Sequence, residues 1–116
     1  MKLKQISVQI ENSQARLYEF TRALGDEGIN LRALTLVDTG HFGELRVLVS
    51  DTATARQILM KKDIPARVDE VVAVQMEDKP GQLADLLERL MEAGIKIKYG
   101  YALAGMDSGK AIMIFR

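Results

Sequence analysis

The 116-residue chain is 47% hydrophobic and 28% charged, the make-up of one globular domain or of two very small ones sharing a core. Its 16 Lys and Arg balance its 16 Asp and Glu, which leaves no basic excess for a general nucleic-acid binder. The absence of Cys excludes disulfides, thiolate metal sites and thiol nucleophiles, and no apolar run approaches the roughly 20 residues that span a bilayer.

Met1-Lys2-Leu3-Lys4 leads straight into alternation, without a signal-peptide core. A soluble, cytoplasmic protein with neither membrane nor nucleic-acid partners is expected. Gln5 to Ile10 alternates, Ile6, Val8 and Ile10 against Gln5, Ser7 and Gln9, which predicts a half-buried strand with a polar outer row. Glu11 to Arg16 reads as a polar turn. Leu17, Phe20 and Leu24 then recur at helical spacing, and Gly28 stands where a left-handed cap is wanted. Ile29 to Val37 and Glu44 to Val49 predict an antiparallel hairpin around Asp38 to Gly43. Ser50-Asp51-Thr52 reads as a cap for a helix from Ala53 to Lys61, stopped by Ile64-Pro65. Arg67 to Glu70 is a short extended piece running into an apolar stretch, Val71 to Met76.

That stretch ends in Glu77-Asp78-Lys79-Pro80-Gly81-Gln82-Leu83, which opens a helix-patterned run to Met91. Pro80 presets φ for a turn or a first helical residue, and Gly81 permits a conformation closed to other residues. A strand so delivered to a helix start leaves unpaired N–H groups that can hold a small anionic group. Asp78 could meet an ammonium there, or could simply favour the helix dipole in an ordinary turn.

Moving Ile6 by 66 positions to Val72 aligns Ile6–Ser50 with Val72–Arg116 without a gap. Leu17, Leu24, Gly28, Ile29 and Gly43 then fall on Leu83, Leu90, Gly94, Ile95 and Gly109. Ile6, Val8 and Ile10 fall on Val72, Val74 and Met76, so the two halves predict the same supersecondary unit. Arg116 falls on Ser50, so the second helix and fourth strand of the first copy have no counterpart. An uncovered sheet face and an unpaired strand edge are expected, with a partner chain as the most economical cover.

The βαββαβ order, the Asp78-Lys79-Pro80-Gly81 turn before an amphipathic helix, and Gly94-Ile95-Lys96-Ile97 opening the next strand resemble the ACT domain family. The first copy carries Asn12-Ser13-Gln14-Ala15 at the turn and Gly28-Ile29-Asn30-Leu31 at the strand; it lacks the Pro and Gly, whereas the second has Lys96 in place of Asn. The resemblance implies an α+β, ferredoxin-like fold in tandem, its antiparallel sheet covered on one face by helices. It implies a first ACT domain over 1–70 and an incomplete βαββ second over 71–116. ACT domains pair side by side and commonly bind an amino acid at the interface. A small free-standing tandem ACT protein, a homodimer or higher homo-oligomer acting on a regulated enzyme, is what the family pattern implies here. Its geometry sets Asp78, Lys79, Pro80, Gly81, Gln82 and Leu83 against Asn30 and Leu31 as one good site. Asn12 and Lys96 belong to a weaker reciprocal one.

Other readings stand beside this one. Lys96 and Lys98, alternating with Ile97 and Tyr99 on a strand, could touch a ligand or protect an edge. His41, the lone histidine, is expected in solvent, and neither metal, cofactor nor catalytic residues are expected. Gly105 to Lys110 lacks the phosphate-loop spacing and reads as a hairpin loop. An assembly module with vestigial pockets is the alternative to a sensor. An acylphosphatase-like enzyme would want glycines beside Arg16, and an RNA binder more aromatic residues than Tyr99, Tyr101 and Phe115.

Overall fold

The computed structural model describes residues 1–11, 13–103 and 109–116. Its elements are β1 (Lys2–Ile10), α1 (Gln14–Asp26), β2 (Leu31–Asp38), β3 (Gly43–Val49), α2 (Thr52–Lys61), β4 (Arg67–Glu77), α3 (Gln82–Glu92), β5 (Gly100–Leu103) and β6 (Lys110–Phe115). Among the described residues six strands and three helices make an α+β protein of tandem ferredoxin-like units. Two compact units emerge, one of Lys4–Asp69 and one of Met1–Leu3 with Glu70–Arg116. The hairpin loop read at Gly105 to Lys110 falls mostly outside the described residues.

In the Lys4–Asp69 unit the strands run β2-β3-β1, with Ile6 opposite Val47 and Leu34 opposite Val47 on the other side. Ile6, Val8, Leu45 and Val47 present one face to α1 and α2. There they join Phe20, Leu24, Ala55 and Leu59 in a closed core, seven of whose members are wholly shielded from solvent: Ile6, Phe20, Leu24, Leu45, Val47, Ala55 and Leu59 at 0% exposure. The expected polar turn is shorter than Glu11 to Arg16. Helix α1 already begins at Gln14, because the Ser13 hydroxyl accepts from the Arg16 N–H at 3.2 Å and caps it. Asp51 caps α2 in the same way, and its hydrogen bonds from Thr54 hold its carboxyl below the usual aspartate range.

Both helices of this unit leave through the same turn. After α1, Ile29 donates to Leu24 O and Gly28 to Gly25 O, with Gly28 at φ 74°. Helix α2 closes at Lys61, before the Ile64-Pro65 stop. Ile64 donates to Leu59 O at 2.9 Å and Asp63 to Met60 O at 3.1 Å, and Asp63 takes the left-handed position.

The outer row of β1 departs from expectation. Gln5 and Ser7 are buried, not solvated. Gln5 Nε2 donates to Ser7 Oγ at 3.0 Å, and Ser7 Oγ donates to Asp69 Oδ2 at 2.8 Å. Arg67 Nε meets both oxygens of Asp69 at 3.1 Å. A polar row can be buried when each of its groups finds a partner, and here the partner comes from the start of β4.

In the other unit the order is β4-β6-β5, with Val72 opposite Phe115 and Gly100 also opposite Phe115 across β6. The strand edge expected to lie bare is paired here. Met1 and Ala73 exchange two backbone hydrogen bonds, Ala73 N–H to Met1 O at 2.8 Å and the Met1 amine to Ala73 O at 3.1 Å. On the sheet row that corresponds to Ile6 and Val8, Val72 is 43% exposed, in line with the expected uncovered face. Helix α3 buries no residue, and Leu83, Leu87 and Met91 are 40%, 39% and 71% exposed.

Strand β5 starts later than expected. Gly100 faces Phe115, the last residue of β6, so Ile95 to Ile97 lie past the end of the ladder. Lys96 is therefore not an edge lysine of that strand, whereas Lys98 stands just ahead of it with its N–H donating to Arg116 O at 2.8 Å. A side chain at Gly100 would put its Cβ 2.9 Å from the Phe115 ring, which accounts for glycine there.

Candidate functional site

The turn into α3 is the structured centre of the predicted site. Asp78 N–H donates to Gly109 O at 2.8 Å and ties the turn to the strand β6 side. Gly81 stands at φ 87° as the N-cap of α3, a conformation that strains any residue bearing a side chain. Gln82 N–H turns back to Lys79 O at 3.2 Å, and Asp85 N–H takes Gly81 O at 3.0 Å. No side chain among the described residues caps the helix. The Leu83 and Ala84 N–H groups of its first turn are thus left to solvent or to a ligand, with the positive end of the helix dipole behind them. Asp78, Lys79, Pro80 and Gly81 are all exposed, and Gln82 is half-buried.

A cavity of about 390 Å³ opens beside this turn, between the end of β4 and one face of α3. Of the predicted residues only Gln82 lines it. The sequence reading missed Glu77, Asp85, Arg89 and Lys110. The signal for two of them is the spacing Gln82, Asp85, Arg89, which sets one polar face along a helix. Lys110 Nζ pairs with Glu77 at 2.9 Å, and Lys79 reaches the same carboxylate at 3.8 Å. Asp85 and Arg89 hold no ion pair among the described residues. Carboxylates, cations and amides line its described walls, groups able to bind a charged or polar ligand.

Asn30 and Leu31 stand in the Lys4–Asp69 unit, where β2 begins. Asn30 N–H donates to Ser50 Oγ at 3.1 Å and its carbonyl accepts from Ser50 N–H at 3.0 Å, leaving the exposed side-chain amide clear of the backbone. Lys96 is exposed, ahead of β5. Asn12 lies outside the described residues. His41 is exposed, and among the described residues no three His, Asp or Glu are grouped to hold a metal.

A family model described as an ACT domain pair matches residues 1–116. The chain belongs to that family. The crystal structure of protein BT0572 from Bacteroides thetaiotaomicron is similar over the whole of this ACT pair and 79% of its own chain, with 35% identity and a TM-score of 0.93. The regulatory subunit of aspartate kinase from Thermus thermophilus, in a ligand-free form, matches 97% of the chain and 81% of its own at 14% identity, TM-score 0.70. A structure of aspartokinase alpha and beta subunits matches 98% and 81% at 17% identity, TM-score 0.67. At those identities the likeness to the kinases is one of fold. No curated protein matches the sequence. No helix among the described residues is long and apolar enough to cross a membrane.

Proposed function

We propose that this ACT pair is a non-catalytic amino-acid sensor, and that it holds its ligand at the interface between ACT units. In this reading the domains divide at residue 70, into 1–70 and 71–116. Asp78 to Leu83 supply the principal site, facing Asn30 and Leu31 of a neighbouring unit, and Asn12 and Lys96 a weaker reciprocal one. The observation that carries the reading is the α3 start, uncapped by any side chain among the described residues, at the Pro80-Gly81 turn. A carboxylate would accept from its first N–H groups while Asp78 meets the ammonium. The fold shared with an aspartate kinase regulatory subunit supports a biosynthetic enzyme as the regulated partner, in the cytoplasm.

The test is thermal unfolding in the presence of each of the twenty amino acids. One of them, at about a hundred times its dissociation constant, should add about 2.7 kcal/mol of stability. Asp78→Ala should remove that gain. If no amino acid shifts the transition, the sensor reading fails.

Assembly is supported by a different observation. Strand β2 ends the order in its unit, and Leu34, Leu36 and Val37 on it are 42%, 37% and 46% exposed. An apolar edge strand of eight residues without a central charge is a template for pairing with another chain. The expected state is a homodimer or a higher homo-oligomer. Sedimentation should show Val37→Lys shifting the chain toward monomer; a wild-type monomer at micromolar concentration would refute the pairing.

A further inference from the structure

The Lys4–Asp69 unit carries a trough that the reading above does not use. It runs between α1 and the connection from α2 to β4, as two adjoining cavities of about 370 and 260 Å³. Arg16, Glu19, Asp63 and Ile64 line both.

Asp63 is the informative member. At φ 59° it is the one non-glycine residue with positive φ among the described residues. The other two helices leave through the same turn with glycine, Gly28 at φ 74° and Gly94 at φ 72°. Glycine takes that conformation at no steric cost, whereas an L-residue does not. Asp is among the few residues with a side chain that take this conformation, so the turn is made here with a carboxylate on it.

The charges around it sort themselves. Arg16 is held by Glu19 at 3.1 Å and Glu11 at 3.8 Å. Arg22 is held by Asp26 at 3.5 Å and lies over the Tyr18 ring, 5.5 Å from its centroid. Lys62 and Asp63, both on the trough wall, have no ion pair and no side-chain hydrogen bond among the described residues. One exposed cation and one exposed anion are therefore without another charged partner among the described residues, and the half-buried Ala23 and Ile64 line the same trough.

Four lining residues of the smaller cavity have counterparts in the other unit, whereas Lys62 and Asp63, which follow α2, have none. Glu11, Arg16, Glu19 and Phe20 of the smaller cavity correspond, 66 positions on, to Glu77, Gln82, Asp85 and Leu86, which line the 390 Å³ cavity of the other unit.

We propose that the trough between α1 and the Asp63 turn is a second ligand site, for a small zwitterion whose ammonium meets Asp63 and whose carboxylate meets Lys62. The site lies within one unit, so it depends neither on the Asp78 turn nor on an interface between ACT units.

Amide spectra of the ¹⁵N-labelled intact chain test this, with each L-amino acid titrated singly and with acetate and methylamine as single-charge probes. Saturable shifts at Lys62, Asp63, Ile64 and Arg22 are expected for at least one amino acid, and not for either single-charge probe at the same concentration. Asp63→Gly keeps the turn and should weaken that binding about tenfold or more, as should Lys62→Gln. No saturable shift at Lys62 to Ile64, equal shifts with acetate, or undiminished binding by Asp63→Gly would each overturn the proposal. Shifts confined to Asp78 to Leu83 would overturn it while upholding the turn site; shifts confined to the trough would do the reverse.

Discussion

Phe20→Ala is expected to cost about 3–5 kcal/mol, whereas Leu86→Ala, at the same position of the second copy, should cost no more than about 1.5 kcal/mol. Both residues stand in the second turn of equivalent helices, and the sequence alone treats them as twins. Phe20 is wholly buried, closed in by α1, α2 and the inner faces of β1 and β3, so its removal leaves a cavity whose walls are held by other elements. Leu86 is half-buried on a helix with no buried residue. Water can fill the space its side chain vacates, and only the transfer of its own partly exposed surface is lost. Denaturant titration of the two variants measures the contrast. Equal costs would mean that α3 is packed as tightly as α1, and that the open face is an illusion.

The same comparison shows what a linear pattern can carry. Periodicity placed α1, α2 and α3 within a few residues, because apolar spacing on a helix reports directly which side is buried. Gly28 and Gly94 were legible because a helix exit that needs a left-handed residue selects glycine. The start of β5 was not legible. Ile95 to Tyr99 alternate as a strand should, and only the register that ends β6 opposite Gly100 keeps most of them out of the ladder. The pairing of Met1 with Ala73 was hidden for a similar reason, since any alternating strand can pair with any other. Of the candidate site, the Pro80-Gly81 turn announced itself through two residues of fixed conformational meaning. The trough did not, because its walls come from α1 and from residues 62–64, and Asp63 looks ordinary until its φ is known.

The buried row of β1 leads to the other large effect. Asp69→Ala should cost about 2–3 kcal/mol, and Arg67→Ala less than about 1 kcal/mol, although the two side chains form one ion pair. The asymmetry follows from where the two groups sit. Asp69 has an 8% exposed side chain and accepts from both Ser7 and Arg67, while the Arg67 side chain is 60% exposed. Removing the carboxylate leaves the buried Ser7 hydroxyl without its acceptor and the chain from Gln5 without its end. Removing the guanidinium leaves Asp69 its bond from Ser7. The hydrogen bond that Arg67 donates to Asp69, ahead of a smaller contribution from Glu44, raises the Arg67 pKa, so the guanidinium stays charged at any working pH and the Arg67→Ala effect should not vary between about pH 6 and 9. A Ser7→Ala, Asp69→Ala double variant completes the argument. If the cost of Asp69→Ala comes largely from stranding Ser7, the second change should recover part of it, and the double variant should be more stable than the sum of the single losses allows. Strict additivity would show instead that Asp69 acts through Arg67 alone, and that the burial of Ser7 owes nothing to it.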